Sequence, residues 1–146
     1  EKFDKSYIEM AGVWARNSYC KRRQVGALIV KDRMIISDGY NGTPSGFENV
    51  CEDENGVTKP YVLHAEANAI IAAPYDQMIG STLYMVCITP DGEITPGTSS
   101  CMMCKRQIIN AGIETVIYRD TPDTYRVVNV ADWIDDDDSL SGTFGY

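Results

Sequence analysis

The 146-residue chain predicts an α/β fold, and two patterns carry that expectation. Short β-branched and apolar runs at Val25–Val30, Met34–Ser37, Thr82–Ile88 and Glu114–Arg119 read as strands. Segments rich in apolar residues, Tyr61–Ala73 and Cys101–Ala111, separate the last three and read as helices. The order strand–helix–strand–helix–strand calls for parallel neighbours joined by right-handed crossovers.

Taken in order, Phe3, Tyr7, Met10 and Trp14 recur at helical spacing, which predicts a helix over about Asp4–Asn17 with that stripe on the core. Val25–Val30 and Met34–Ser37 flank the polar Lys31-Asp32-Arg33 and form an antiparallel hairpin. The stretch from Asp38 to Pro60, rich in Gly, Asn and Pro and then acidic, reads as a long loop of the kind that carries function. Tyr61–Ala73 ends near Pro74 and is apolar on most sides, which points to burial between layers. Thr82–Ile88 has the near-continuous apolar character of a central strand. Gly112 stops the helix from Cys101 to Ala111. The whole reads as one domain, 1–146, with an acidic tail from about 131 expected to be solvated.

Composition narrows the class. An apolar fraction of 44% and a charged fraction of 23% are ordinary for a globular domain. No apolar run approaches the roughly 20 residues of a membrane span, and no charged-then-apolar leader pattern is visible, so a cytoplasmic protein with no membrane partner is expected. The net charge is −8; the tail takes five of the 21 acids, leaving 16 against 13 bases in residues 1–126. That balance provides no basic field for a polynucleotide. Five cysteines in such a chain favour a metal or redox site over a disulfide framework, with Cys87 as a small core residue.

Chemistry concentrates in two segments. His64-Ala-Glu-Ala-Asn-Ala-Ile70 holds the single histidine, with Glu66 two residues on; Cys101-Met-Met-Cys104 supplies two thiols on one helix face. Thiolates at a helix N-terminus are favoured by the dipole and by free N–H groups. His64, Cys101 and Cys104 make three zinc ligands with a fourth position open, as in catalytic sites, and Glu66 remains as a proton carrier. The alternatives are a structural zinc completed by Cys20, Cys51 or Cys87, or a thiol redox pair. The joint H-x-E and C-x-x-C pattern is that of zinc-dependent nucleobase deaminases.

Four segments, Cys20-Lys-Arg-Arg-Gln-Val-Gly-Ala27, Gly39-Tyr-Asn-Gly-Thr-Pro44, His64–Ile70 and Cys101–Gly112, together resemble the deoxycytidylate (dCMP) deaminase family of the cytidine deaminase superfamily. The resemblance implies a three-layer α/β/α sandwich with a mixed five-stranded sheet, a Zn²⁺ cofactor, and hydrolysis of a free cytosine nucleotide, dCMP to dUMP and ammonia. It implies Glu66 as the catalytic residue and Arg22, Asn41, Ala65 and Tyr125 as substrate contacts, Arg22 on the 5′-phosphate and Asn41 on the sugar. It further implies a homo-oligomer, dimer or hexamer, and dCTP or dTTP as candidate allosteric effectors. Several relatives carry a second, structural zinc, for which Cys20 and Cys51 lie near the matching positions but a complete ligand set is not expected. The family's proline before the first zinc cysteine is Ser100 here, which can cap the helix instead. Competing readings are a deaminase of RNA or DNA bases, including a tRNA adenosine deaminase, and a nucleotide-binding protein with a vestigial zinc site.

Overall fold

A computed structural model describes residues 2–136. Five strands form one sheet in the order β2-β1-β3-β4-β5, where β1 is Gln24–Lys31, β2 Met34–Tyr40, β3 Thr82–Ile88, β4 Thr115–Arg119 and β5 Tyr125–Asn129. Helix α1 is Asp4–Ala15, α2 Ala65–Ala72, α3 the single turn Tyr75–Met78, α4 Met102–Asn110 and α5 Val130–Asp136. The sheet is mixed: β3 and β4 are parallel, and the other pairs are antiparallel. The crossover from β2 through α2 therefore skips a position. β2 and β3 run the same way, but β1 lies between them, so only one pair of neighbours is parallel.

Period-two alternation in β1 and β3 divides the core between two faces. Ala27, Ile29, Leu83 and Met85 join Ala65, Ala69 and Ile108 on one side. Leu28, Val30, Tyr84, Val86 and Ile88 join Ile8, Ala11 and Ala15 on the other. The result is a three-layer α/β/α sandwich with α1 on one face and α2, α4 and α5 on the opposite one.

Both principal helices pack on glycine. A Cβ at Gly26 of β1 would stand 1.9 Å from the Ala11 carbonyl oxygen, and one at Gly39 of β2 would stand 2.6 Å from the Ala65 carbonyl oxygen. This close approach corrects the stripe expected on α1. The buried line is Asp4, Ile8, Ala11 and Ala15, with the small Ala11 and Ala15 where the backbones meet at Gly26. Met10 is exposed, and Tyr7 lies at the edge with its ring 5.2 Å from that of Tyr84.

Other boundaries shift for local reasons. β2 continues through Asp38 and Gly39 to Tyr40, because Gly39 pairs with Ala27 and Tyr40 with Gly26. α2 begins at Ala65 rather than Tyr61, since Leu63 forms a β-bridge with Gly42 and holds the preceding residues extended. The acidic tail begins as helix α5, with Val130 buried and Lys105 Nζ 5.2 Å over the Trp133 ring; the expectation of a solvated end beyond Asp136 lies outside the described residues. Cys20 and Cys51 form a disulfide that ties the start of β1 to the long loop, leaving Cys87, Cys101 and Cys104 free. The expectation of a metal or redox site over a disulfide framework fails at this pair, because the loop folds back over β1 and brings residues 31 apart in sequence into contact. No described helix is long and apolar enough to cross a membrane.

The glycine contacts yield a paired test. Gly39→Ala should cost about 3 kcal/mol, the upper end for overpacking, because both opposing groups are backbone and neither can swing aside. Gly12→Ala, within α1, would meet only Val86 Cγ1 at 3.8 Å and should stabilise by about 1 kcal/mol. Thermal melts of the two variants check the opposite signs.

Candidate active site

α2 and α4 lie on the same face of the sheet and present their N-termini to a common point. His64 is the N-cap residue of α2, extended at φ −79° and ψ 153°. Cys101 is the N-cap of α4, and its Sγ accepts from the Cys104 N–H at 3.5 Å. The thiol thus does the work expected of Ser100, which sits one residue too early. Ser100 is buried and bonds the Tyr118 hydroxyl at 2.8 Å. Burial, partly offset by that bond, pushes Tyr118 up to about 12, so it stays a neutral hydroxyl.

His64 Nδ1 lies 3.3 Å from Cys104 Sγ and 3.5 Å from Cys101 Sγ. Donors of a tetrahedral zinc, at bond lengths of about 2.0–2.3 Å, stand about 3.6 Å apart, so both imidazole–thiol spacings suit the ion, and all three donor atoms lie within 4.8 Å of one another. Burial, followed by the charges of Glu66 and Cys101, pushes the Cys104 thiol up. A divalent cation between the donors reverses that balance. Glu66 sits in the first turn of α2, where the dipole favours a carboxylate, and is only 4% exposed.

These groups open into a cavity of about 480 Å³. His64, Ala65, Glu66 and Cys101 line it from the donor side; Arg22, Arg23, Glu52 and Thr58 line another part; Val25, Met85 and Cys87 contribute from the strands and Asn41 from just after β2. Cys87, expected as a plain core residue, is buried yet faces this space, and burial pushes its thiol up. The loop from Thr95 to Ser99 makes a further wall. It is fastened from the far end of the sheet, since Asp120 accepts from Gly97 N–H at 2.9 Å and from Arg126 Nε at 2.7 Å, and Arg126 also donates to the Thr98 carbonyl. The Arg126 hydrogen bond holds the Asp120 carboxyl below its ordinary range.

Of the residues expected to touch substrate, Arg22, Asn41 and Ala65 line the cavity. Among the described residues neither Arg22 nor Arg23 is ion-paired. The Asn41 amide already accepts from Val25 N–H at 2.8 Å and donates to the Arg23 carbonyl at 2.9 Å, so one N–H and one lone pair remain. Tyr125 does not join them. It lies on edge strand β5 beyond β4 and is not among the residues that line this cavity. Glu52 and Thr58 were not singled out from sequence. Glu52 begins an acidic run that reads as solvated surface, and nothing in the run separates it from Asp53 and Glu54.

Cys20, Cys51 and Glu52 make a second group of potential metal donors, but the disulfide leaves them no thiolate.

An α/β/α sandwich with a Cys2His donor set at two helix N-termini, and a carboxylate beside it, defines the class of zinc-dependent deaminases. Within it, the chain belongs to the family of the cytidine and deoxycytidylate deaminase zinc-binding region, whose profile matches residues 1–120. It is 32% identical over 130 residues to a deoxycytidylate deaminase of Mycobacterium phage D29, spanning 80% of this chain and 93% of that one. It is 31% identical over 127 residues to the deoxycytidylate deaminase of Schizosaccharomyces pombe, spanning 80% of this chain and 36% of that one. Among solved structures, the dCMP deaminase of cyanophage S-TIM5 in complex with dCMP and dUMP superposes with a TM-score of 0.67 at 36% identity, covering 92% of this chain and 88% of that one.

Removal of one donor tests the metal centre. Cys101→Ala should lose zinc and activity together, from about one zinc per chain to a small fraction, since three ligands leave no redundancy. Metal analysis of the purified variant reads the outcome; full occupancy would remove Cys101 from the ligand set.

Proposed function

We propose that the chain catalyses the hydrolytic deamination of dCMP to dUMP and ammonia. The observation that carries this reading is the cavity itself, whose wall holds His64, Cys101 and Glu66, with Cys104 in the same donor group, together with the guanidinium groups of Arg22 and Arg23, neither of them ion-paired among the described residues. The phage relatives named for this activity match most of the chain and support it.

A zinc ion held by His64, Cys101 and Cys104 supplies Lewis acidity, which makes water nucleophilic near neutral pH. The chain's own groups handle the rest. Glu66 takes a proton from the attacking water and delivers it to N3 of cytosine as the C4–O bond forms. It then passes the second proton to the C4 amino group, and the C4–N bond breaks to release ammonia. The carboxylate needs a nearly dry site for this, and its burial supplies one. Asn41 offers its remaining N–H and lone pair to the sugar. Arg22 meets the 5′-phosphate, for which a planar guanidinium is suited. Assembly as a dimer or hexamer and regulation by dCTP or dTTP belong to the same reading.

Two variants test the two ends of the site. Glu66→Gln should keep zinc and fold but lose at least about 10²–10⁴ in rate; a variant within tenfold of the parent would move the proton transfer to another group. Arg22→Ala should lower kcat/KM for dCMP by about 10- to 150-fold, from the roughly 1.5–3 kcal/mol of a charge-assisted bond. Deoxycytidine turnover should hardly change. Equal losses on both substrates would assign Arg22 to the fold.

A further inference from the structure

We propose that Glu52 is a positioning residue for Arg22 and, through it, sets the preference for nucleotide over nucleoside; this rests on the reading of Arg22 as the phosphate contact. Glu52 is an acidic side chain only 8% exposed, set in the cavity wall where an anion is to be bound. Its Oε2 accepts from the backbone N–H of Lys21 at 2.9 Å and of Arg22 at 3.0 Å. Two successive N–H groups converging on one oxygen form an anion-binding nest. Here the chain's own carboxylate fills it, so those amides are not free for the substrate's phosphate and the Arg22 guanidinium is left to meet it.

The same loop holds the other end of that side chain. Glu52 and Thr58 are partners in a β-bridge, and Thr58 Oγ1 lies 3.5 Å from Arg22 Nη1. One short ladder thus grips Arg22 at its backbone and at its head. Tethering alone does not require Glu52, because the Cys20–Cys51 disulfide already joins the two segments one residue away. What the carboxylate adds is direction. Arg22 lies in a bend before β1, outside the sheet's hydrogen bonds, and the paired amide bonds to Glu52 orient its backbone.

The measurement is the ratio of kcat/KM for dCMP to that for deoxycytidine, taken on zinc-loaded protein with melting temperature in parallel. Glu52→Ala should lower the ratio about tenfold, the size of one lost charge-assisted contact, with deoxycytidine turnover unchanged. In an Arg22→Ala background it should lower the ratio no further. Glu52→Gln keeps an oxygen for both amides and removes a negative charge facing the phosphate, so its ratio should match or exceed that of the parent. Should Glu52→Ala not fold, Glu52→Asp, one methylene too short to reach both amides, takes its place with the same expected loss. Equal losses on both substrates, an undiminished effect without Arg22, or a Glu52→Gln ratio as low as that of Glu52→Ala would each overturn the proposal. A ratio unmoved by Arg22→Ala alone would instead overturn the phosphate reading on which it rests.

Discussion

The contact between α2 and β2 sets the geometry on which the site depends. At Gly39 the helix backbone meets the strand backbone with no side chain between them, and the facing residues Ala65 and Ala69 are correspondingly small. Ser37 Oγ donates to the Ala69 carbonyl at 2.6 Å and Asn68 Nδ2 to the Tyr40 carbonyl at 2.9 Å, so the helix is hydrogen-bonded to the strand as well as packed on it. Rotation or sliding of α2 would break both bonds and drive the helix into the sheet. Since His64 and Glu66 stand at the first turn, their placement follows from this contact, and α4 needs only to bring Cys101 and Cys104 to the same point.

The site also resolves an electrostatic conflict. Two thiols, a carboxylate and an imidazole crowd one partly buried site, where burial first and then the charges of Glu66 and Cys101 push the Cys104 thiol up. Two helix N-termini supply partial positive charge there, and the Cys104 N–H supplies one explicit donor. These reduce the repulsion without cancelling it. The remainder is what a bound zinc relieves, so affinity for the ion and exclusion of solvent come from the same arrangement.

Much of this was legible in the sequence because it depends on local signals. The H-x-E and C-x-x-C spacings place ligands within a turn of a helix whatever the surrounding fold, and the strands at Val25–Val30 and Thr82–Ile88 announce themselves by composition. What was missed depends on distant partners. The buried face of α1 is chosen by Gly26 across the layer, not by the aromatic stripe of the helix itself. The late start of α2 comes from the bridge between Leu63 and Gly42. The Cys20–Cys51 pair and Glu52 gain their meaning from a loop that folds back on β1, which neither spacing nor charge pattern encodes. The place of Tyr125 was equally hidden, because strand order, which no local pattern encodes, puts it on the edge strand β5.

The bridge between Gly42 and Leu63 closes the long loop at its base, with mutual hydrogen bonds of 3.1 and 2.8 Å, one residue before His64. The segment from Thr43 to Val62 is therefore closed at its base as well as tied to β1's side through Cys51 and Glu52, and the bridge separates its length from the donors that follow. Lengthening such a loop is inexpensive, about 0.6 kcal/mol per doubling. The part of the cavity wall that this loop supplies can thus be remodelled by insertion while the donors stay in register. Recognition and reaction are separately evolvable in this fold, because the strand pair holds one constant while the loop varies the other.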